Sequence, residues 1–316
     1  EIIQSGIFAL YNEEPDPVEN FNNLFIDENG NSEIIFSEKY DYDAGKSHQW
    51  DALAQPAGFG FNWSSNYTVY LETLEQFDFI DGKSGKMDRS IFDDSTPIDP
   101  NIFFEQRDPR MRASIFYPGS SFKGGTVFFH RSMAGNKAGW PKNGPSKLTG
   151  SLATGLLIRK RTNPSTPDAS RSSTDYIIYR LGEIYLNYVE AAYYLGDPNG
   201  DMVNVMNEIR NRAGMPSLSN IDITESKIRQ ERRCELAFED HVFWDLRRWR
   251  IAVEELDNVR RHRLHYRYNA NDNTYTMEMA DGDVGGIRLH PERNYYYALG
   301  LNRLADNPKL VENPGY

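Results

Sequence analysis

The chain has 316 residues, of which 39% are hydrophobic and 26% charged, with a net charge of -11. This composition is that of a soluble globular protein of one to three domains. The negative charge excludes a nucleic-acid binder that works by neutralising phosphates. No apolar run reaches the about 18 residues of a membrane-spanning helix, and a single cysteine excludes an internal disulfide.

The first third of the chain predicts a few short elements. Residues 1–12 carry spaced aliphatic residues that are typical of a helix already under way, so we expect a fragment that lacks an N-terminal part. The turn signal Asn29-Gly30 precedes a predicted strand at 33–37. Residues 69–79 predict a helix, and residues 156–160 a short strand.

Two irregular stretches interrupt these elements. Residues 43–66 mix Gly, Pro and Ser with large aromatic residues, and residues 133–154 carry Trp140 among Gly, Pro and Lys. A loop of this length inside a compact domain is usually functional or disordered. We therefore expect ligand-binding side chains in these loops.

The helical part is predicted to begin at Asp175. A stripe with helical spacing runs from Ile177 to Leu195 and ends at Gly196-Asp197-Pro198. Asp201 is placed to cap a second helix, whose stripe runs over 202–213. Two antiparallel helices of this kind resemble a tetratricopeptide unit, although the next helix starts too late for a strict repeat of about 34 residues.

Residues 231–249 predict one long helix, with Thr224 or Asp222 as its cap and Glu225 completing a capping box with Asp222. Its apolar stripe consists of Ile228, Leu236, Phe243, Leu246, Trp249 and Val253.

Glu235 and Glu239 lie one turn apart on this segment, which is unfavourable on a solvated helix. A buried face can hold both if Arg232, Arg247, Arg248 or a neighbouring helix supplies the opposite charge. We interpret the pair as a structural ion-pair network. A catalytic acid/base pair fits less well, because nearby arginines would hold both groups ionised.

The C-terminal part predicts a hairpin, since Leu264, Tyr266 and Tyr268 alternate on one side of an Asn/Asp turn and Tyr275, Met277 and Met279 on the other. The sequence contains no phosphate loop, no calcium loop with its required glycine, no nucleophile motif and no histidines at metal-ligand spacing. We expect no cofactor and no metal ion, and a structural role for Cys234.

Three motifs carry a resemblance. They are Glu-Arg-Arg-Cys-Glu-Leu-Ala-Phe-Glu followed by Asp-Leu-Arg-Arg-Trp within 231–249, Arg-Asp-Pro-Arg at 107–110, and the closing run Asn-Pro-Lys-Leu-Val-Glu-Asn-Pro-Gly-Tyr at 307–316. Together they resemble the SusD/RagB family, the surface glycan-binding lipoproteins of Bacteroidetes.

The resemblance implies a mainly α fold in which tetratricopeptide-like hairpins pack against a loop-rich region with short strands. We expect the loop-rich region at 1–174, the helical region at 175–256, and the hairpin and tail packing back at 257–316. The resemblance also implies a surface-exposed lipoprotein of the outer membrane, anchored by a lipid that this chain lacks. It would be a monomer in isolation that binds an oligosaccharide and serves a SusC-like TonB-dependent transporter.

Two other functions remain open at this stage. A tetratricopeptide adaptor would bind a peptide through its helices, and a carbohydrate-active enzyme would turn over a glycan with a perturbed carboxylate pair. The absence of a nucleophile, metal or acid/base motif favours binding without catalysis.

The predicted ligand site lies in residues 48–67, where aromatic rings suit the flat C–H faces of sugars and polar side chains suit their hydroxyls. The candidates are Trp50, Trp63 and Tyr67, with Trp140 from the second loop. The competing interpretation is that these rings fill the core beneath the loop, because large aromatic side chains are usually mostly buried.

Overall fold

Helices and short strands alternate along the chain in the computed structural model, which describes residues 1–27, 29–56, 59, 66–127, 129, 155–166, 171–269, 274–283 and 286–316. The α-helices are α1 (Pro17–Asn23), α2 (Trp50–Ala54), α3 (Leu71–Leu74), α4 (Pro109–Ser114), α5 (Leu181–Leu195), α6 (Met202–Arg212), α7 (Glu225–Glu235), α8 (His241–Arg248), α9 (Ala252–Leu256) and α10 (Leu301–Asp306). The strands are β1 (Ile34–Glu38), β2 (Ile115–Phe116), β3 (Ser121–Phe122), β4 (Gly125–Thr126), β5 (Leu157–Ile158), β6 (Tyr176–Arg180), β7 (His262–Asn269) and β8 (Thr274–Asp281). Short 3-10 or π turns cover Ile3–Ser5, Arg89–Ile91, Asn101–Glu105, Asn220–Asp222 and Glu292–Tyr295.

Two of the helices begin with the same Asp-Pro pair. Asp16 accepts hydrogen bonds from the backbone at the start of α1, and Asp108 does the same for α4. The proline that follows fits the first helical position because its missing N–H would have no partner there. The 107–110 motif is therefore a helix start, and β2 follows α4 directly.

All sheets among the described residues are antiparallel pairs: β1 with β6, β2 with β5, β3 with β4, and β7 with β8. The β7–β8 register places Leu264 opposite Met279, Tyr266 opposite Met277 and Tyr268 opposite Tyr275. The predicted hairpin is thus confirmed, and its apolar face belongs to the larger of the hydrophobic cores.

A second core lies between α5, α6 and α7, which pack against one another. The mainly helical fold with a loop-rich region of short strands is confirmed. The predicted start of the helical part at Asp175 is wrong, since β6 comes first and pairs with β1. Within the described ranges, no helix is long and apolar enough to cross a membrane.

The predicted single helix over 231–249 is wrong. It is divided into α7 and α8 by a turn in which Phe238 and Asp240 take left-handed backbone angles of φ 62° and 65°. An L-residue helix cannot continue through such angles. Phe243 is consequently exposed although the stripe predicted it to be buried.

Two shorter helix predictions are wrong, and one of the two predicted cap residues, Thr224, is confirmed. The N-terminal helix is only a 3-10 turn at Ile3–Ser5, and the helix predicted at 69–79 is α3 alone. Thr224 caps α7, whereas Asp222 forms a capping box with Ser219 instead of Glu225.

Glu235 is fully buried at the end of α7 and is the centre of an ion network. Its Oε1 accepts hydrogen bonds from Arg180 Nη1, at 2.7 Å, and from Arg212. Its Oε2 lies 3.0 Å from Arg110 Nη1. The predicted burial and arginine pairing of Glu235 are confirmed.

Glu239 extends the network into the turn after α7. Arg180 donates to both of its carboxylate oxygens at 2.8 Å, and Lys160 Nζ lies 2.7 Å from Oε1. The described part of the network consists of the carboxylates Glu33, Asp108, Glu231, Glu235 and Glu239 and the cations Arg110, Lys160, Arg180, Arg210 and Arg212.

The arginines within residues 231–249 are not the partners of Glu235 and Glu239. Arg232 pairs with Asp245 at 3.1 Å, Arg248 pairs with Glu190 and Asp245, and Arg247 binds two backbone carbonyls. The positive charges that balance Glu235 and Glu239 come instead from segments that are distant in sequence. Of the two sources considered from the sequence, a neighbouring element is therefore the one observed.

Burial alone would raise the pKa values of both carboxyls, but the cations outweigh it. Arg212, Arg180 and Arg110 hold the pKa of Glu235 well below its ordinary value, and Arg180 and Lys160 lower the pKa of Glu239 to about 2. Both groups are ionised at neutral pH, so neither is suited to act as a general acid.

We expect Glu239→Ala to lower the free energy of unfolding by about 3–5 kcal/mol, because Lys160 and Arg180 would lose a buried partner. Denaturant melts measure this loss. Glu38→Ala is the matched control, since Glu38 pairs with Lys46 at the surface and its loss should be much smaller. A loss below about 1 kcal/mol for Glu239→Ala would contradict the network's role.

Candidate functional site

A cleft of about 350 Å³ opens beside α2 and the start of β6. Its size falls at the lower end of the range of small-ligand sites. The residues that line it are Tyr40, His48, Gln49, Trp50, Leu53, Tyr67, Arg161, Thr174, Asp175 and Tyr176.

His48 fixes the start of α2 at the edge of the cleft. Its Nδ1 accepts a hydrogen bond from the backbone N–H of Trp50 at 3.1 Å, and its Nε2 lies 2.8 Å from the carbonyl oxygen of Thr174. With Nδ1 accepting from Trp50, Nε2 is the ring nitrogen that donates to the Thr174 carbonyl oxygen. His48 thereby joins α2 to the segment before β6.

Asp51 ties the same helix to the loop after β5. This buried carboxylate accepts hydrogen bonds from the backbone N–H of Asn163 at 2.7 Å and from the Thr166 hydroxyl at 2.9 Å. A buried carboxylate that receives several hydrogen bonds is a stable anchor. The helix that carries Trp50 is therefore held at its start by two side chains, His48 and Asp51.

The half-buried Trp50 ring is held by a hydrogen bond and a stacking contact. Its indole N–H donates to the carbonyl oxygen of Lys160 at 3.1 Å, and its ring stacks on Tyr67 with centroids 4.9 Å apart and planes at 20°. Tyr67 is fixed in turn, because its carbonyl oxygen accepts the N–H of Ile158 at 2.9 Å. The two predicted aromatic residues thus form one wall of the cleft.

Arg161 extends this wall. Its guanidinium carbon lies 4.3 Å from the centre of the Trp50 ring and 4.6 Å from the centre of the Tyr176 ring. Tyr67, Trp50, Arg161 and Tyr176 therefore follow one another in a row, which we call the aromatic–arginine stack. Stacked arginine and aromatic groups attract through the charge and the ring quadrupole.

Polar groups surround the stack. Asp175 accepts the backbone N–H of Tyr40 at 3.0 Å and pairs with Lys39, while the Tyr176 hydroxyl donates to Asp240 at 2.7 Å. Burial and the Asp240 hydrogen bond both raise the pKa of Tyr176, so the hydroxyl keeps its proton. The cleft combines ring surface with fixed donors and acceptors, as ligand sites do.

The structure brings together two of the four predicted site residues, Trp50 and Tyr67. Trp63 and Trp140 lie outside the described residues. Sequence reasoning missed Arg161 and Tyr176, both of which lie more than 100 positions after Trp50 in the chain. The sequence signal available for them was weak, because Arg161 is a charged residue after a short strand and Tyr176 is the first residue of another.

Two other pockets in the described part of the chain are weaker candidates. One of about 400 Å³ lies between Tyr70, Phe238 and Phe243, and its charged groups are already engaged, as in the Arg233–Glu255 pair. The other, of about 240 Å³, lies between Glu105, Tyr117 and Tyr268. Neither contains a predicted site residue.

The described residues include no group of three or more His, Cys, Asp or Glu side chains that could hold a metal ion. Cys234 is buried, and burial raises the pKa of its thiol well above the ordinary value. A thiol of this kind is a poor nucleophile, so Cys234 is a core residue as expected.

Comparisons with known proteins identify the family. The profile of the SusD family matches residues 32–316. A SusD-like protein of Formosa agariphila is 28% identical over 158 residues, which cover 46% of this chain and 26% of that protein. The chain therefore spans about a quarter of the length of this curated relative.

Solved structures share the fold. A SusD-like protein from Bacteroides fragilis matches with a TM-score of 0.77 at 24% identity, covering 100% of this chain and 60% of that one. A SusD-like carbohydrate-binding protein from the same species gives 0.69 at 22% identity, covering 97% and 59%. Surface glycan-binding protein A from Bacteroides fluxus gives 0.53 at 22% identity, covering 100% and 56%. With the family profile matched from residue 32 to the last residue, the chain belongs to the SusD family.

Proposed function

We propose that this chain binds an oligosaccharide in the cleft formed by the aromatic–arginine stack. The observation that carries the proposal is the stacked pair of Trp50 and Tyr67 in the wall of an open cleft, with polar side chains around it. Sugars present flat C–H faces and many hydroxyls, so they need ring surface and hydrogen-bond partners together. Names of structurally similar proteins that mention carbohydrate or glycan binding support the same ligand class.

Trp63 and Trp140 remain part of this proposal. Trp63 belongs to the segment between α2 and Tyr67, both of which line the cleft. In this proposal the two tryptophans add ring surface to the same site.

We propose further that the protein binds its glycan without cleaving it. The buried Asp175 carboxylate is held by Lys39 and a backbone N–H, and Asp240 accepts the Tyr176 hydroxyl, so the cleft offers no free acid/base pair among the described residues. We expect no release of reducing ends from a bound oligosaccharide. Release that is lost when one cleft carboxylate is replaced would contradict this.

The cellular role that we propose is delivery of the glycan to a TonB-dependent transporter, from the outer face of the outer membrane, by a lipid-anchored protein that is monomeric on its own. Membership of the SusD family supports this role. We expect the protein, purified from its native membrane in mild detergent, to bring a transporter of this class with it. Repeated purification without any transporter would count against the proposal.

The ligand site is tested by calorimetry with a glycan selected on an array. We expect a dissociation constant for this glycan roughly between micromolar and millimolar. Tyr67→Ala should weaken binding by about 1–3 kcal/mol, as loss of an aromatic anchor does. Tyr67→Phe should stay close to the parent because the ring that stacks on Trp50 is kept.

Tyr194→Ala is the matched control, since Tyr194 is an exposed tyrosine of α5 that does not line the cleft. Each variant is first checked for an unchanged melting curve. Unchanged affinity for alanine variants at Trp50, Trp63 and Tyr67 alike would place the site elsewhere.

A further inference from the structure

Arg161 takes an unusual place in the wall of the cleft. It lies three residues after the end of β5 in a left-handed backbone conformation, with φ 66°. The turn around it is closed by a hydrogen bond from the Thr162 N–H to the Arg159 carbonyl at 2.9 Å. A non-glycine residue in this region of backbone space is uncommon and costs about 1 kcal/mol or more. The fold holds this arginine at the cleft in spite of that cost.

Within the described residues, the Arg161 guanidinium has no carboxylate or other hydrogen-bond acceptor, and its buried Nε has no partner. The carboxylates Asp175 and Asp240, which lie beside the stack, already have other partners. Asp175 pairs with Lys39, and Asp240 accepts the Tyr176 hydroxyl. The cations of the ion network, by contrast, each bind at least one carboxylate.

Trp50 and Tyr176 flank the guanidinium, so its remaining bonding capacity lies with the in-plane N–H groups. These donors form a rigid, permanently charged fork that fits the paired oxygens of a carboxylate or a sulfate. A partly buried cation without a counter-ion is unfavourable, and an anionic ligand would relieve it.

We propose that the cleft selects an acidic oligosaccharide, whose carboxylate or sulfate group binds Arg161. This inference rests on the proposed function and narrows its ligand class to sugars that carry an oxyanion. The net charge of -11 gives no long-range attraction for such a ligand, so Arg161 must supply the selectivity locally.

The test compares matched acidic and neutral ligands by calorimetry. One pair is an oligogalacturonate and its methyl ester, and the other is a sulfated galactan oligosaccharide and its desulfated form. We expect at least one acidic form to bind about tenfold or more tightly than its neutral partner at low salt, with the difference shrinking as salt rises. The pair that shows the difference identifies the oxyanion.

Arg161→Gln should abolish this preference, so that the ratio of the dissociation constants for the neutral and acidic ligands falls to about one, because the lost interaction is with the oxyanion. Arg161→Lys should keep part of the preference, since the charge remains without the fork. Arg250→Gln is the matched control. Arg250 is also left-handed, with φ 59°, and lies 4.8 Å from the Tyr295 ring, but does not line the cleft.

The outcomes separate the two proposals. Equal binding of acidic and neutral ligands overturns the role of Arg161 and leaves glycan binding intact. Equal loss for both ligands in Arg161→Gln also overturns it, because Arg161 would then only support the rings. Failure of every glycan to bind the parent protein overturns both proposals. If Arg161→Gln does not fold, the salt dependence and Arg161→Lys decide the matter in the same way.

Discussion

The contacts of Arg180 are the constraint on which the rest of the structure depends. This buried guanidinium binds Glu33 before β1, Glu235 at the end of α7 and Glu239 in the turn after it. A buried charge is tolerated only when its partners are in place. The N-terminal region, β6 and the α7–α8 turn are therefore fixed relative to one another by one side chain.

The same network fixes the cleft through pairs of adjacent residues. Lys160 binds Glu239 with its side chain, while its carbonyl oxygen accepts the Trp50 indole N–H and its neighbour Arg161 enters the aromatic–arginine stack. On the other side, Asp240 follows Glu239 and accepts the Tyr176 hydroxyl. Arg161 is thus the sequence neighbour of one partner in a buried ion pair, Lys160, and Tyr176 is hydrogen-bonded to the neighbour of the other partner, Glu239. A wall held in this way needs little ordering when a ligand binds, which favours affinity.

The sequence allowed the prediction of part of this arrangement. Two carboxylates one helical turn apart repel each other unless cations pair with them on a buried face. The ion network was predicted from this argument. The cations that pair with Glu235 could not be predicted from the sequence, because they are distant along the chain; Arg110, for example, lies 125 positions from Glu235. The break between α7 and α8 was also invisible. Residues 236–240 contain no Gly or Pro, and the left-handed angles of Phe238 and Asp240 depend on contacts made by the folded chain.

At the cleft, too, the sequence does not show which charged residues are in contact with one another. Aromatic composition led to the prediction of Trp50 and Tyr67, which lie together in the wall of the cleft. It could not select Arg161, because a sequence shows how many charges a chain carries but not which of them are paired. The described part of the network balances five carboxylates (Glu33, Asp108, Glu231, Glu235 and Glu239) with five cations (Arg110, Lys160, Arg180, Arg210 and Arg212). Arg161 stands one residue beyond it as a cation that the network leaves out, and the residues that flank it are rings. Its position makes the ligand, and not the protein, the natural source of its counter-charge.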